Sequence, residues 1–108
     1  MKWIKIFENI DRATEAIPNN TSRLVKIGDK RICLLNHNGR FLALEDRCPH
    51  MGASLSQGKV NFLGEVICPL HEYRYNSITG EEVNNKCEAA VTINLKQEED
   101  GVYLQLKT

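Results

Sequence analysis

The chain has 108 residues, 42% of them hydrophobic, and its 14 Lys and Arg are balanced by 14 Asp and Glu. That length fits a single domain over residues 1–108, large enough for a modest core and too short for two domains. A formal net charge of zero supplies no whole-molecule field for nucleic acid or an anionic membrane, so partners must be recognised through a local patch.

The opening M-K-W-I-K-I-F-E holds no apolar run of signal-peptide length, and nowhere do about twenty apolar residues follow one another, which predicts a cytoplasmic protein with no membrane span. Trp3 to Phe7 alternates apolar and charged residues, as a half-buried first strand does. Asn9 to Ile17 suits a short helical turn beginning after Asp11, ended by Pro18-Asn19-Asn20. Leu24 to Ile27 and Arg31 to Leu35 read as strands around a Gly28-Asp29-Lys30 turn. Asn38-Gly39 is a strong hairpin signal because both residues tolerate positive φ, and Phe41 to Glu45 is the returning strand. Cys33, within an apolar run, is expected to pack as a small hydrophobe, and His37, beside the hairpin turn, to be solvated.

Farther on, Lys59 to Phe62 and Glu65 to Cys68 flank Leu63-Gly64 as a second hairpin, with Tyr73 to Asn76 as its third strand and Ser77 to Gly80 as a turn. After an irregular Glu81 to Ala90, the strands Val91 to Leu95 and Val102 to Leu106 flank a Glu98 to Gly101 turn, in which Glu98-Glu99-Asp100 should be exposed. Trp3, Phe41 and Tyr103 are expected to pack in the core. Many short strands at regular spacing predict an all-β antiparallel sandwich or barrel. Strands before Asp46 and after Ala90 would form its support, with a site-bearing insert at about residues 46–80.

That insert carries the chemistry. C-P-H-M-G opens at Cys48, C-P-L-H-E-Y-R-Y opens at Cys68, and the seventeen residues from Met51 to Ile67 separate Cys48-x-His50 from Cys68-x-x-His71. Soft thiolate and imidazole donors at such short spacing are a metal-site signature, one that suits iron-sulfur clusters and zinc alike. Zinc fingers usually place both cysteines in one knuckle and both histidines in the other, whereas here each knuckle has one of each. A structural zinc module built from these four side chains is the rival reading.

The pattern C-x-H, spacer, C-x-x-H, together with Pro49, Pro69, Gly52 and the Y-R-Y exit, resembles the Rieske 2Fe-2S family. The resemblance implies one 2Fe-2S cluster, with Cys48 and Cys68 on one iron and His50 and His71 on the other. It also implies antiparallel sheets with a smaller cluster-binding subdomain. Ala53 and Leu70 stand where the respiratory and photosynthetic members have two further cysteines, which points to the ferredoxin branch. Glu72 stands where many relatives have Gly. Cys33 and Cys87 are left over and are expected as free thiols in a reducing compartment.

The resemblance implies a monomeric one-electron carrier, with no catalytic residue of its own, between a reductase and a terminal oxygenase. A small subunit of a larger oxidoreductase, such as a nitrite reductase, is the alternative. An oxygenase is not expected, because such enzymes hold a second iron with two histidines and a carboxylate, and only His37 remains. Family potentials span roughly −150 to +300 mV. In high-potential relatives a tyrosine and a serine donate toward the cluster; here Tyr75 and Tyr73 take those places, so a low potential raised modestly by Tyr75 is expected. Met51, Gly52, Leu70 and Glu72 would form a rim around the histidines, for docking or for shielding the cluster.

Overall fold

Residues 2–106 are described by a computed structural model; the ends of the expected 1–108 domain, residues 1, 107 and 108, lie outside that description. Along the chain come β1 (Lys2–Phe7), α1 (Ile10–Ala16), β2 (Thr21–Ile27), β3 (Lys30–His37), β4 (Arg40–Glu45), β5 (Lys59–Val60), β6 (Glu65–Ile67), β7 (Arg74–Asn76), β8 (Thr92–Glu98) and β9 (Gly101–Leu106). A six-stranded antiparallel sheet in the order β1-β9-β8-β4-β3-β2 curls on itself, and a three-stranded sheet, β5-β6-β7, stands against it.

The apolar run in β3 explains the layering. Ile32 to Asn36 are all buried, with no alternation between an inner and an outer face. Both faces of this strand are covered: Ile32 and Leu34 pack with Phe41, Ala43, Val102, Leu104 and the helix residues Ala13 and Ile17, while Cys33 and Leu35 pack with Leu44, Leu55, Val60, Val66 and Tyr75. The large sheet therefore separates two cores, one inside the curl and one beneath the small sheet. At about 25 cal/mol per Å² of apolar surface buried, each core is a substantial stabilising block.

Local chemistry sets the element ends. Helix α1 starts earlier than Asp11, because Asn9 Oδ1 accepts the Arg12 N–H at 2.8 Å as an N-cap. Strand β5 stops at Val60 rather than Phe62, because Asn61 Oδ1 accepts from the N–H groups of Leu63 (3.0 Å) and Glu65 (2.9 Å) and folds the chain into a turn. A 3-10 turn over Leu55–Gln57, without an apolar period to announce it, drives Leu55 into the second core. Strand β8 starts at Thr92, leaving Val91 exposed, and runs on to Glu98, which pairs with Gly101.

Three expected placements change. Trp3 is 38% exposed on an outer face beneath the Lys96 ammonium, 4.6 Å from its ring centroid, so it is not a core residue. Tyr103 is half-buried on the same face, its hydroxyl donating to Asp100 at 2.8 Å. His37 is not a solvated turn residue: its Nε2–H donates to the Phe62 carbonyl at 3.0 Å, tying the β3-β4 hairpin to the small sheet. Gly64 lies against the same ring, and a Cβ there would come within 2.7 Å of His37 Nδ1. Phe41 is buried as expected.

Candidate metal centre

The two knuckles are built to one plan. The Cys48 N–H donates to Ala53 O at 2.7 Å and the Cys68 N–H to Tyr73 O at 2.8 Å, each five residues on. The Gly52 N–H donates to Cys48 O at 2.7 Å and the Glu72 N–H to Cys68 O at 3.1 Å, each four residues on. Both of those fourth residues have positive φ, 75° at Gly52 and 57° at Glu72. Closing each loop requires left-handed backbone at that position, which glycine adopts freely and glutamate only with strain.

This shared turn fixes where the four expected ligands go. Cys48 and Cys68 are fully buried at the base of the loops, and the imidazoles of His50 and His71 lie farther out with ring centroids 5.1 Å apart. His50 is half-buried and His71 exposed. Among the described residues, no three His, Cys, Asp or Glu side chains gather as around a single ion. The two sulfurs lie buried and the two imidazoles nearer the surface, an order compatible with a binuclear centre.

The electrostatics favour negative charge on the Cys48 sulfur and oppose it on Cys68. Burial pushes the Cys48 thiol up, but the Tyr75 hydroxyl and the N–H groups of Met51 and His50 outweigh it and hold the pKa below the usual thiol range. Burial raises Cys68, which has the Leu70 and His71 N–H groups as compensation and shares its surroundings with Cys48. Tyr75 is fully buried, its oxygen 3.1 Å from Cys48 Sγ and 3.3 Å from Cys87 Sγ. Burial and these sulfurs push the Tyr75 pKa up, so the phenol keeps its proton and can donate it to a thiolate. By contrast Cys33, away from the loops, is pushed up to about 12 by burial and then by Asp46, as an inert packing thiol is.

A 2Fe-2S cluster fits these residues. The Nδ1 of His50 is a buried nitrogen without a hydrogen-bond partner, a costly arrangement in a closed protein and the natural one for a ligand atom awaiting a metal. The sulfurs already receive several N–H and O–H donors. In the described residues all four cysteines are free thiols, as expected for Cys33 and Cys87.

The family profile described as "Rieske [2Fe-2S] domain" matches residues 8–97. The chain belongs to this family. Among curated Rieske relatives, ferredoxin CarAc of Metapseudomonas resinovorans is 29% identical over 104 residues, covering 94% of this chain and 92% of its own. The ferredoxin component of the alkene monooxygenase system of Xanthobacter autotrophicus is 34% identical over 58 residues, 54% of this chain and 48% of that one. The present chain thus spans about half of that relative, and only 15% of the human apoptosis-inducing factor 3 that it also matches. In fold, the ferredoxin of carbazole 1,9a-dioxygenase from Nocardioides aromaticivorans IC177 superposes with a TM-score of 0.83 at 16% identity, over 99% of this chain and all of that one. A chain from a complex of reduced oxygenase and oxidized ferredoxin in carbazole 1,9a-dioxygenase gives 0.78 at 26% identity, over 94% of this chain and all of that one.

Several residues of the Rieske site carry weak sequence signals. Asp46 is buried and accepts from the Ser54 hydroxyl and from the Ser56 N–H at 2.6 Å, with Arg31 at 3.7 Å, bracing the first knuckle from behind. The segment Glu81 to Ala90, irregular as expected, packs onto the small sheet: buried Glu82 accepts from the N–H groups of Arg74 (3.3 Å), Asn84 (2.8 Å) and Lys86 (3.0 Å). This brings Cys87 to Tyr75 and Lys86 to Tyr73. Only tertiary pairing makes these residues neighbours. Met51 and Leu70, adjacent in the chain to His50 and His71, are 58% and 55% exposed.

Proposed function

We propose that this chain is a one-electron carrier that holds a 2Fe-2S cluster through Cys48 and Cys68 on the inner iron and His50 and His71 on the outer iron. The observation that carries the assignment is the pair of matched knuckles, which set two buried sulfurs beneath two imidazoles 5.1 Å apart. When bound, the cluster supplies one reversible electron. The protein's own residues do the rest. Tyr75 and the loop N–H groups donate to sulfur and so favour the more negative, reduced state, and the buried bases of the loops exclude water. The imidazoles, nearer the surface, offer a short path to a partner.

The reading extends to partners by similarity. The alkene monooxygenase relative is the ferredoxin component of its system, and one fold neighbour comes from a complex of oxygenase and ferredoxin, which supports a reductase as donor and an oxygenase as acceptor. Nothing in the geometry favours a subunit of another oxidoreductase. Among the described residues no helix is long and apolar enough to cross a membrane.

Protein made with ample iron and sulfide is expected to be reddish brown, to bind both elements in stoichiometric amounts and to give a reduced-state EPR signal. Colourless protein containing zinc would overturn the assignment. With the cluster in place, reduction by a flavin reductase and reoxidation by a ring-hydroxylating oxygenase, followed in the visible spectrum, test the carrier role.

A further inference from the structure

The two histidines of the site are not equivalent. The Tyr73 ring stacks on the His50 imidazole, centroids 4.2 Å apart and planes within 23°, which is face-to-face contact. The same ring lies 6.5 Å from His71 and is tilted 52° to it, too far to cover it. His50 is accordingly half-buried and His71 exposed. Tyr73 is fixed in this position, since its carbonyl accepts the Cys68 N–H at 2.8 Å and the Lys86 ammonium lies 5.3 Å from its ring centroid. Lys86 is itself placed by its N–H bond to the buried Glu82 carboxylate at 3.0 Å.

We propose that Tyr73, stacked on one face of the His50 imidazole, keeps that ring half-buried, so that the exposed His71 is the main imidazole through which a docked partner exchanges electrons with this protein. The inference rests on the carrier reading and adds a direction to it. A partner must seat over exposed Leu70, His71 and Glu72, on the second knuckle, rather than symmetrically over both loops. Tyr73 acts through His50 and is a positioning residue. A small side chain at this position would uncover the His50 face and leave both imidazoles open.

Diethyl pyrocarbonate, which acylates accessible imidazole nitrogens, reads this asymmetry in cluster-loaded protein. Peptide mapping is expected to show His71 modified several-fold faster than His50. Tyr73→Ser should raise the His50 rate several-fold, toward that of His71, and Tyr73→Phe should leave it low. Electron transfer to a small cobalt(III) complex, compared at equal driving force, should be faster in Tyr73→Ser than in Tyr73→Phe, and at most doubled. Similar rates at His50 and His71 in the wild type would overturn the proposal, as would an unchanged His50 rate or an unchanged electron-transfer rate in Tyr73→Ser. The wild-type comparison decides even if Tyr73→Ser fails to hold its cluster. Protein without cluster absorbance would fail the carrier reading before any reagent is added, so the two failures are told apart.

Discussion

Tyr75 is the residue on which the redox level of the site turns. Its hydroxyl has one hydrogen and two sulfur neighbours, Cys48 at 3.1 Å and Cys87 at 3.3 Å. An iron-bound thiolate would carry no proton and be the better acceptor, so the phenol is expected to donate to Cys48, while the Cys87 thiol has its own acceptor in the Glu88 carbonyl at 3.4 Å. The bond strengthens when the cluster gains an electron. A hydrogen bond to a charged group contributes about 1.5 kcal/mol, and for one electron 1.4 kcal/mol corresponds to about 59 mV. Redox titration of Tyr75→Phe is therefore expected to find a midpoint lower by about 60 mV. Cys87→Ala should change it by less, because Cys87 lies against the Tyr75 hydroxyl and its thiol is a weak hydrogen-bonding group. An unchanged midpoint in Tyr75→Phe would remove the hydroxyl from the account.

At the scale of the element, the knuckle turn explains both what the sequence displays and what it hides. The cysteine and histidine spacing is legible because two tight loops of one design need donors at set offsets. The strands are legible because alternation and turn residues such as Asn38-Gly39 are local signals. Residues working through tertiary contact are not: His37 meets Phe62 across 25 positions, and Cys87 meets Tyr75 only once the loop after β7 folds back. Core Tyr75 and surface Trp3 likewise look alike in a one-dimensional pattern. Glu72 shows the cost of a local rule broken. Left-handed backbone costs a non-glycine residue about 1–2 kcal/mol, partly offset by the extra entropy glycine loses, so Glu72→Gly is expected to stabilise the protein by up to about 1 kcal/mol. Denaturant unfolding of the loaded protein measures this, and a destabilised variant would mean that the carboxylate serves the fold.

The loop after β7 has a pH signature. Burial raises the Glu82 pKa, but the N–H groups of Lys86, Asn84 and Arg74 and the Lys86 charge outweigh it and leave it below the usual range. A carboxyl with a folded pKa below its unfolded pKa contributes stability that is complete above the unfolded value and is lost as pH falls through the folded one. The stability difference between wild type and Glu82→Gln should thus be largest near neutral pH and should narrow as the solution is acidified. A difference that stays constant through the carboxylate range would show that the charge of Glu82 is not what holds the loop.

Across the whole molecule, two cores share one sheet but differ in what they depend on. The core inside the curl draws on α1, β3, β4 and β9 and contains none of the proposed ligands. The other includes Cys48 and Cys68 among its buried members, with Leu55, Val66 and Tyr75 around them. Metal-ligand bonds would therefore staple only the second core, and their loss would leave buried polar groups unpaired there while the first keeps its contacts. Hydrogen exchange on the apoprotein is expected to show β5, β6, β7 and both knuckles losing protection, while β1, β8 and β9 stay close to their protection in the loaded protein. β3, packed on both sides, should fall between. Uniform loss of protection over all strands would mean that the two cores form one cooperative unit and that the small sheet is an integral part of the barrel.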